Sequence, residues 1–141
     1  MRVAFVAAEA APFAKAGGLA DVLGSLPKAL FRLGVEVAIF IPRYGSIPGT
    51  TEKIASFSMD FGGEKSEVAI FRAFLPKSKV PVFFLDFPLY FGRPGIYGEE
   101  GADYPDNLRR FAFFSKAALI SASALSWFPD IFHIHDWHTA L

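Results

Sequence analysis

The chain contains short, predominantly apolar runs at residues 2–8, 35–41 and 80–86. Runs of this kind are typical of strands that are buried on both faces of a parallel sheet. Between the first two runs, apolar residues recur at helical spacing from Gly18 to Leu33, and Gly34 supplies a stop signal. Pro27 lies inside this stretch and predicts a kink or a loosened turn. The order strand, helix, strand predicts a right-handed βαβ unit.

The remaining pattern extends this unit into a larger α/β fold. Residues 52–61 and 66–75 flank a Gly-Gly pair and predict an antiparallel hairpin. A Gly- and Pro-rich loop over 87–105 exceeds ordinary connection lengths, which is typical of functional or mobile segments. A helix over 105–124 and a strand over 131–135 follow. The sequence therefore predicts a Rossmann-like, doubly wound, mainly parallel sheet with a β-hairpin insertion.

The last predicted strand is followed by only a few residues, which begin another helix without completing it. A packed α/β sheet seldom ends in this way, because such a terminus would fray. We therefore expect residues 1–141 to be a truncated N-terminal domain, the N-terminal part of a longer protein.

Composition and charge exclude several classes of protein. Hydrophobic residues make up 52% of the chain, which excludes a disordered protein. The net charge is +0, so we expect no nucleic-acid partner and no anionic membrane surface, although a local basic pocket for one small anion is compatible with it. The absence of Cys excludes disulfides, thiolate catalysis and Cys-based zinc sites. The N-terminal apolar stretch is too short for a signal peptide and nothing has the length of a membrane span, so we expect a cytoplasmic protein.

The loop after the first strand combines a cation with a glycine pair. Lys15, Gly17 and Gly18 lie at the predicted start of a helix, where exposed N–H groups and the helix dipole favour an anion. The alternative is that the glycines only form the turn and that Lys15 is a solvated surface charge. Asp21 complements the helix dipole, and it suits a hydroxyl better than a phosphate.

The segment HIHDWH at 133–138 offers two kinds of site. Three His and one Asp invite a zinc hydrolase, but their order differs from that of a dinuclear zinc signature. His133 and His135 lie on one face of the predicted strand, and we expect them to be buried, neutral and hydrogen-bonded. Asp136, Trp137 and His138 follow the carboxyl end of the strand, where they can bind substrate hydroxyls and a sugar or base face.

Two further groups of residues support this picture less directly. The loop over 87–105 mixes aromatic and charged side chains that suit carbohydrate, although exposed loops contain such residues in any case: Tyr90, Arg93, Tyr97, Glu99, Glu100, Asp103 and Tyr104. Five Phe residues are predicted to lie in the core: Phe83, Phe84, Phe111, Phe113 and Phe114.

Three motifs in a fixed order resemble one family. They are K-x-G-G-L-x-D at 15–21, Y-x-D-N-x-x-R-F at 104–111 and H-x-H-D-W-H at 133–138. In this order they resemble the bacterial glycogen synthases and plant starch synthases. The resemblance implies a two-domain GT-B glycosyltransferase that transfers glucose from ADP-glucose to the non-reducing end of an α-1,4-glucan, with retention of configuration. It implies no metal and no cofactor, and a C-terminal GT-B domain of the same parent chain as partner.

The resemblance also assigns roles to residues of this chain. It implies that Lys15 contacts the donor, at its phosphates, while Gly17 and Gly18 allow close backbone approach and Asp21 belongs to the same substrate-binding loop. Asp106 and Asn107 match the second motif, but capping the helix over 105–124 would explain them equally well.

The acceptor side is assigned in the same way. The resemblance implies that Asp136 and His138 are the catalytic pair, beside the cleft where the transferred glucose and the glucan meet. Trp137 would support or stack on the sugar, and Tyr97 would lie near the active site. Since a GT-B enzyme closes two domains around its donor, residues 1–141 alone are expected to be inactive. A non-catalytic nucleotide-sugar or carbohydrate-binding module remains the main alternative, and the zinc hydrolase the other.

Overall fold

The computed structural model describes residues 1–47 and 51–141, and its elements follow the predicted order. The helices and strands are β1 (Arg2–Val6), α1 (Gly18–Arg32), β2 (Glu36–Pro42), β3 (Glu52–Phe61), β4 (Glu64–Phe74), β5 (Pro81–Asp86), α2 (Pro88–Phe91), β6 (Gly98–Glu99), β7 (Ala102–Asp103), α3 (Asn107–Ala124) and β8 (Ile131–Ile134). A single 3₁₀ turn, Trp137–Thr139, follows β8. None of the helices in these described ranges has the length and apolarity needed to cross a membrane.

A six-stranded sheet in the order β3-β4-β5-β2-β1-β8 forms the centre of the described part of the chain. β1 pairs in parallel with both β2 and β8, and β2 pairs in parallel with β5. The hairpin of β3 and β4 adds antiparallel strands at one edge. The prediction of a mainly parallel α/β sheet with a hairpin insertion is therefore confirmed.

The strand order defines where a ligand site would form. β2 and β5 lie on one side of β1, and β8, which comes later in the chain, lies on the other side. The crevice beyond the carboxyl ends of β1 and β8 is thus a topological switch point, the usual ligand position in open α/β sheets. The loops at 7–17 and 135–138 both lie at this edge.

Helix α1 is continuous through Pro27, whose side chain is buried. Its buried positions, Ala20, Leu23 and Pro27, recur at helical spacing and face the core. α1 ends at Arg32, and two residues later Gly34 has a φ of 85°. Gly34 thus adopts the left-handed conformation that is typical of the residue after a helix, as its predicted role as a stop signal requires.

All five Phe residues predicted for the core are buried, which confirms that prediction. Phe113 shows how they connect distant segments. Its ring stacks on Phe87 with a centroid separation of 4.4 Å, and it meets the ring of Phe61 edge-on at 5.3 Å. α3 is thereby fixed to both the hairpin and the loop over 87–105.

The segment over 87–105 is more ordered than a plain loop, since it contains α2 and the small β6-β7 ladder. The fully buried guanidinium of Arg110 organises it from α3. Arg110 donates hydrogen bonds to the carbonyl oxygens of Tyr90 at 2.7 Å and Ile96 at 3.0 Å, and to Oδ1 of Asn107 at 2.6 Å. Because these partners are neutral, burial dominates and lowers the pKa of Arg110 below its usual range.

The capping explanation for Asp106 and Asn107 is wrong. Asp106 precedes α3 but makes no side-chain capping hydrogen bond, because its carboxylate receives a bidentate pair from Arg93 at 2.7 and 2.6 Å. This pairing also lowers the pKa of Asp106. Asn107 begins α3, and its Nδ2 donates to the carbonyl oxygen of Tyr97 at 2.8 Å. Both residues therefore hold the 87–105 segment against α3.

Candidate functional site

A cleft of about 440 Å³ opens at the switch point. It is lined by Glu9, Gly17, Gly18, Leu19, Tyr97, Asp103, Asn107, Asp136, Trp137 and His138. A second cleft of about 640 Å³ adjoins it, shares Tyr97 and Asp103, and contains Lys15. Six of the eight residues predicted for the site thus meet in one cleft, and Lys15 lies beside it. Asp21 lines neither cleft.

Lys15 forms an ion pair across the first turn of α1. Its Nζ lies 2.7 and 2.8 Å from the two carboxylate oxygens of Asp21, and both side chains are more than half exposed, at 53% and 62%. Exposed pairs of this kind contribute roughly 0–1 kcal/mol, so the cation is easily exchanged to another anion. Asp21 is therefore the counterion of Lys15 in the ligand-free protein.

One of the loop N–H groups that the sequence predicted to be exposed, that of Gly17, already has an acceptor within the chain. Oε2 of Glu9 accepts hydrogen bonds from the N–H groups of Ala16 at 2.8 Å and Gly17 at 2.9 Å. Oε1 of Glu9 accepts a third from the Tyr97 hydroxyl at 2.5 Å. The buried carboxylate of Glu9 therefore takes the place of an external anion at these two amides, because a buried carboxylate requires hydrogen-bond donors.

Glu9 also lines the cleft, although none of the sequence motifs includes it. It is 3% exposed and directly follows the first apolar run, so it lies at the carboxyl edge for the same reason as Asp136. An acid immediately after a buried parallel strand was the available signal.

The hydrogen bonds around Glu9 determine its charge state. Burial on its own would raise the pKa of Glu9, but the donors from Tyr97, Ala16 and Gly17, with His138 nearby, lower it below the ordinary value. Burial and the bond to Glu9 raise the pKa of Tyr97 far above its usual range. Glu9 is therefore an ionised acceptor, and Tyr97 keeps its proton.

Gly17 and Gly18 leave the cleft open beside the start of α1. A Cβ built on either residue meets no atom within 4 Å, and Gly17 has an extended φ of −147° that any residue adopts. Local backbone geometry therefore does not require glycine at 17. The first-turn amides of α1 have no acceptor within the helix, and the absent side chains leave them accessible.

Asp136 has a strained backbone at the mouth of the cleft. Its φ of 64° and ψ of −179° lie in a region used almost only by glycine. Oδ1 of Asp136 accepts the Trp137 N–H at 2.7 Å, and the Thr139 hydroxyl bonds both the N–H and the carbonyl of His135, at 2.8 and 2.9 Å. These contacts hold the turn and keep the carboxylate exposed at the cleft.

His138 lies deeper, at 5% exposure. Its ring stacks on Tyr97 at 4.8 Å between centroids and contacts Phe111 edge-on at 5.0 Å. Burial lowers the pKa of His138 below 6.5, although Asp136 and Glu9 oppose the shift. Its Nδ1 has no partner among the described residues. His138 therefore lines the cleft as a mostly buried, neutral imidazole beside the carboxylates of Glu9 and Asp136.

The prediction that His133 and His135 are buried and hydrogen-bonded is wrong. Within the described ranges His133 is exposed, since β8 is the last strand of the sheet there, and the half-buried His135 leaves Nε2 without a partner. The two rings do share one face, stacked at 4.4 Å. His138 instead stacks on Tyr97. Across residues 1–47 and 51–141, no group of three His, Asp or Glu is arranged to hold a metal ion, so a zinc hydrolase has no geometric support.

We expect the strain at Asp136 to be measurable by comparing two substitutions. Asp136→Gly and Asp136→Ala both remove the carboxylate, but only glycine adopts φ 64° without steric cost. The glycine variant should be more stable by about 1 kcal/mol in urea unfolding, after allowance for its larger unfolded-state entropy. An alanine variant of equal or greater stability would contradict the strain.

We expect stability to fall on mild acidification because of His138 and His135. Burial lowers the pKa of each below 6.5, so the unfolded chain binds protons first as pH falls. The free energy of unfolding should be highest above pH 6.5 and decline below it. Urea unfolding at about pH 7.5 and about pH 5.5 measures the loss. His138→Gln should make this loss of stability smaller, because it removes one of the two titrating groups; a loss as large as that of the parent protein would contradict this origin.

Comparison with known proteins identifies the family to which the fold belongs. The family model described as "Starch synthase catalytic domain" matches residues 2–141. A glycogen synthase of Rhodopirellula baltica is 37% identical over 154 residues, covering 100% of this chain and 30% of that protein. A glycogen synthase of Hydrogenobaculum sp. is 42% identical over 142 residues, covering 100% and 29%.

A solved structure gives the same result in three dimensions. The catalytic domain of starch synthase IV from Arabidopsis thaliana, bound to ADP and acarbose, superposes with a TM-score of 0.79 at 36% identity. The match covers 98% of this chain and 28% of that one, so the chain spans less than a third of these relatives. The resemblance predicted from the three motifs is confirmed: the chain belongs to the starch synthase catalytic domain family.

Proposed function

We propose that the protein carrying this sequence transfers glucose from ADP-glucose to the non-reducing end of an α-1,4-glucan, with retention, and that the switch-point cleft is half of its active site. The observation that carries the proposal is the meeting of the α1 N-terminus, Tyr97 and the Asp136–His138 turn in one cleft, with Lys15 beside it. The relatives named glycogen synthase, and the related starch synthase bound to ADP and acarbose, support it.

On the donor side, the proposed ligand is the diphosphate of ADP-glucose. Lys15 would exchange Asp21 for a phosphate oxygen, which is inexpensive because the existing pair is exposed. The first-turn amides beyond Gly17 would supply further donors at the positive end of α1. As ADP departs, this fixed positive potential stabilises the developing negative charge.

On the acceptor side, the proposed ligand is a glucose unit with several hydroxyls. The exposed carboxylate of Asp136 and the neutral imidazole of His138 can accept hydrogen bonds from them or donate to them. Trp137 is 48% exposed and presents an aromatic face suited to a sugar ring. Tyr97 completes the wall through its ring, stacked on His138.

The charges that line the cleft indicate that a second part of the protein supplies cations for the diphosphate. Glu9, Asp103 and Asp136 line it, and no Lys or Arg does so within the described residues. Lys15 alone does not balance a diphosphate beside three carboxylates. We propose that residues 1–141 form part of the N-terminal domain and that a C-terminal GT-B domain of the same parent chain supplies the remaining cations. No metal or cofactor, and a cytoplasmic location, remain part of the proposal.

Incorporation of labelled glucose from ADP-glucose into glycogen tests this function, and Lys15→Ala tests the donor site. Loss of one charge-assisted contact, worth about 1.5–3 kcal/mol, should lower kcat/KM for ADP-glucose by about tenfold to a hundredfold. Urea unfolding should be unchanged, since the side chain is exposed. Lys53→Ala on β3 is the matched control and should leave kcat/KM unaltered. Binding of ADP-glucose without incorporation of glucose would indicate a binding module instead. Unchanged kcat/KM in Lys15→Ala would show that Lys15 is only a solvated surface charge.

Tyr97→Phe tests the bond between the Tyr97 loop and Glu9. The variant keeps the ring on His138 but deprives a buried carboxylate of one donor, so stability should fall by about 1–3 kcal/mol. kcat/KM should fall as the cleft loosens.

The matched control is Tyr104→Phe, because the Tyr104 hydroxyl donates to the exposed Glu99. We expect it to cost less than Tyr97→Phe in both measurements. Equal effects of the two variants would show that the Glu9 bond has no special weight.

A further inference from the structure

Another concave surface lies at the amino ends of the parallel strands, at the end of the sheet opposite the switch-point cleft. It encloses about 550 Å³ between the C-terminal half of α1 and the turn that joins β4 to β5. Its lining residues are Lys28, Phe31, Arg32, Lys77, Ser78 and Lys79. We call this surface the basic pocket. In a chain with a net charge of +0, it gathers four cations without a carboxylate in its lining.

The four cations have no carboxylate partner in the part of the chain that the structure describes. None of them appears in an ion pair among the described residues, where the pairs involve Arg2, Lys15, Arg43, Arg72 and Arg93. Cations near a helix C-terminus commonly complement its dipole, so Lys28 and Arg32 have an ordinary structural role available. The carbonyl groups of Ala29, Leu30 and Phe31, however, already accept hydrogen bonds from backbone N–H groups at 33–35. The side chains of Lys28 and Arg32 are therefore not needed as caps.

The turn that carries the other two cations has a defined shape. The Leu75 N–H donates to the Val80 carbonyl at 3.0 Å, and the Ser78 N–H donates to the Leu75 carbonyl at 3.1 Å. Lys77 has a φ of 57°, in the left-handed region that non-glycine residues seldom occupy. Oγ of Ser78 accepts the Val80 N–H at 3.2 Å, which leaves its own proton available to a ligand.

We propose that the basic pocket binds a small molecule that carries more than one phosphate group. Lys28, Arg32, Lys77 and Lys79 would neutralise the phosphates, and the Ser78 hydroxyl would donate a directional hydrogen bond. Phe31 is 38% exposed and offers an apolar face to the carbon part of the ligand. The volume lies within the range of roughly 300–1,000 Å³ that is usual for small-ligand sites. A concave site of this size on a neutral protein favours a compact polyanion over a nucleic-acid strand.

This site is separate from the switch-point cleft and does not depend on the proposed function. α1 begins at the cleft and ends at the basic pocket, and its 15 residues span about 22 Å. A ligand in the basic pocket would therefore leave the switch-point cleft free.

Isothermal titration of the full-length protein with inorganic pyrophosphate tests the proposal. The titration is carried out in the Lys15→Ala variant, which lacks the cation beside the switch-point cleft. Pyrophosphate binding at that cleft then contributes little to the signal. We expect one equivalent to bind. In the variant Lys28→Ala/Lys79→Ala the affinity should fall by about tenfold or more, because two charge-assisted contacts are lost.

The matched control is Lys53→Ala/Lys65→Ala, which removes the same charge from the exposed β3-β4 hairpin. We expect its affinity to equal that of the Lys15→Ala variant at the same ionic strength. An absence of pyrophosphate binding, or equal weakening in both double variants, would overturn the site. A sugar bisphosphate that binds more tightly than pyrophosphate, and loses this advantage in Phe31→Ala, would support a carbon-linked ligand. Tighter binding of a single-stranded oligonucleotide would overturn the small-ligand proposal.

Discussion

A buried carboxylate, that of Glu9, joins segments that are far apart in the sequence. One of its oxygens accepts the amides of Ala16 and Gly17, and the other accepts the Tyr97 hydroxyl, 88 residues away. The loop after β1 and the 87–105 segment are thereby fixed to each other at the carboxyl edge. Because an ionised buried carboxylate without donors would be costly, each of these bonds is enforced by the others. The shape of the cleft follows from this constraint.

Tyr97 is held from both ends. Its hydroxyl bonds Glu9, and its carbonyl oxygen accepts Nδ2 of Asn107, which Arg110 also contacts. The fully buried guanidinium of Arg110 cannot leave its site without abandoning three acceptors. Through Arg110 and Asn107, α3 therefore positions Tyr97 at the wall of the cleft, where the Tyr97 ring stacks on His138.

The fold and the position of the cleft could be predicted because they depend on local patterns. Apolar runs identify buried parallel strands, and the rule of carboxyl edges then brings the residues after β1 and β8 together. What could not be predicted depends on partners distant in sequence. Asp106 looks like a helix cap until Arg93 is seen to engage it, and the Gly17 amide looks free until Glu9 is seen to occupy it. His133 looks like a core residue because its sequence pattern does not show that β8 is the last strand of the sheet within the described residues.

The polar contacts of the site fall into two physical classes with different roles. The bonds of Glu9, Tyr97 and Arg110 are buried or partly buried, so breaking one leaves an unsatisfied group and is expensive. The pair between Lys15 and Asp21 is exposed, so water compensates both partners when it opens. A ligand that competes with Asp21 for Lys15 would consequently bind beside a rigid wall, formed by Glu9 and Tyr97, and one mobile cation. Under the proposed function, this division would allow an anion to bind without a rearrangement of the loop, since Glu9 already accepts hydrogen bonds from the amides of Ala16 and Gly17.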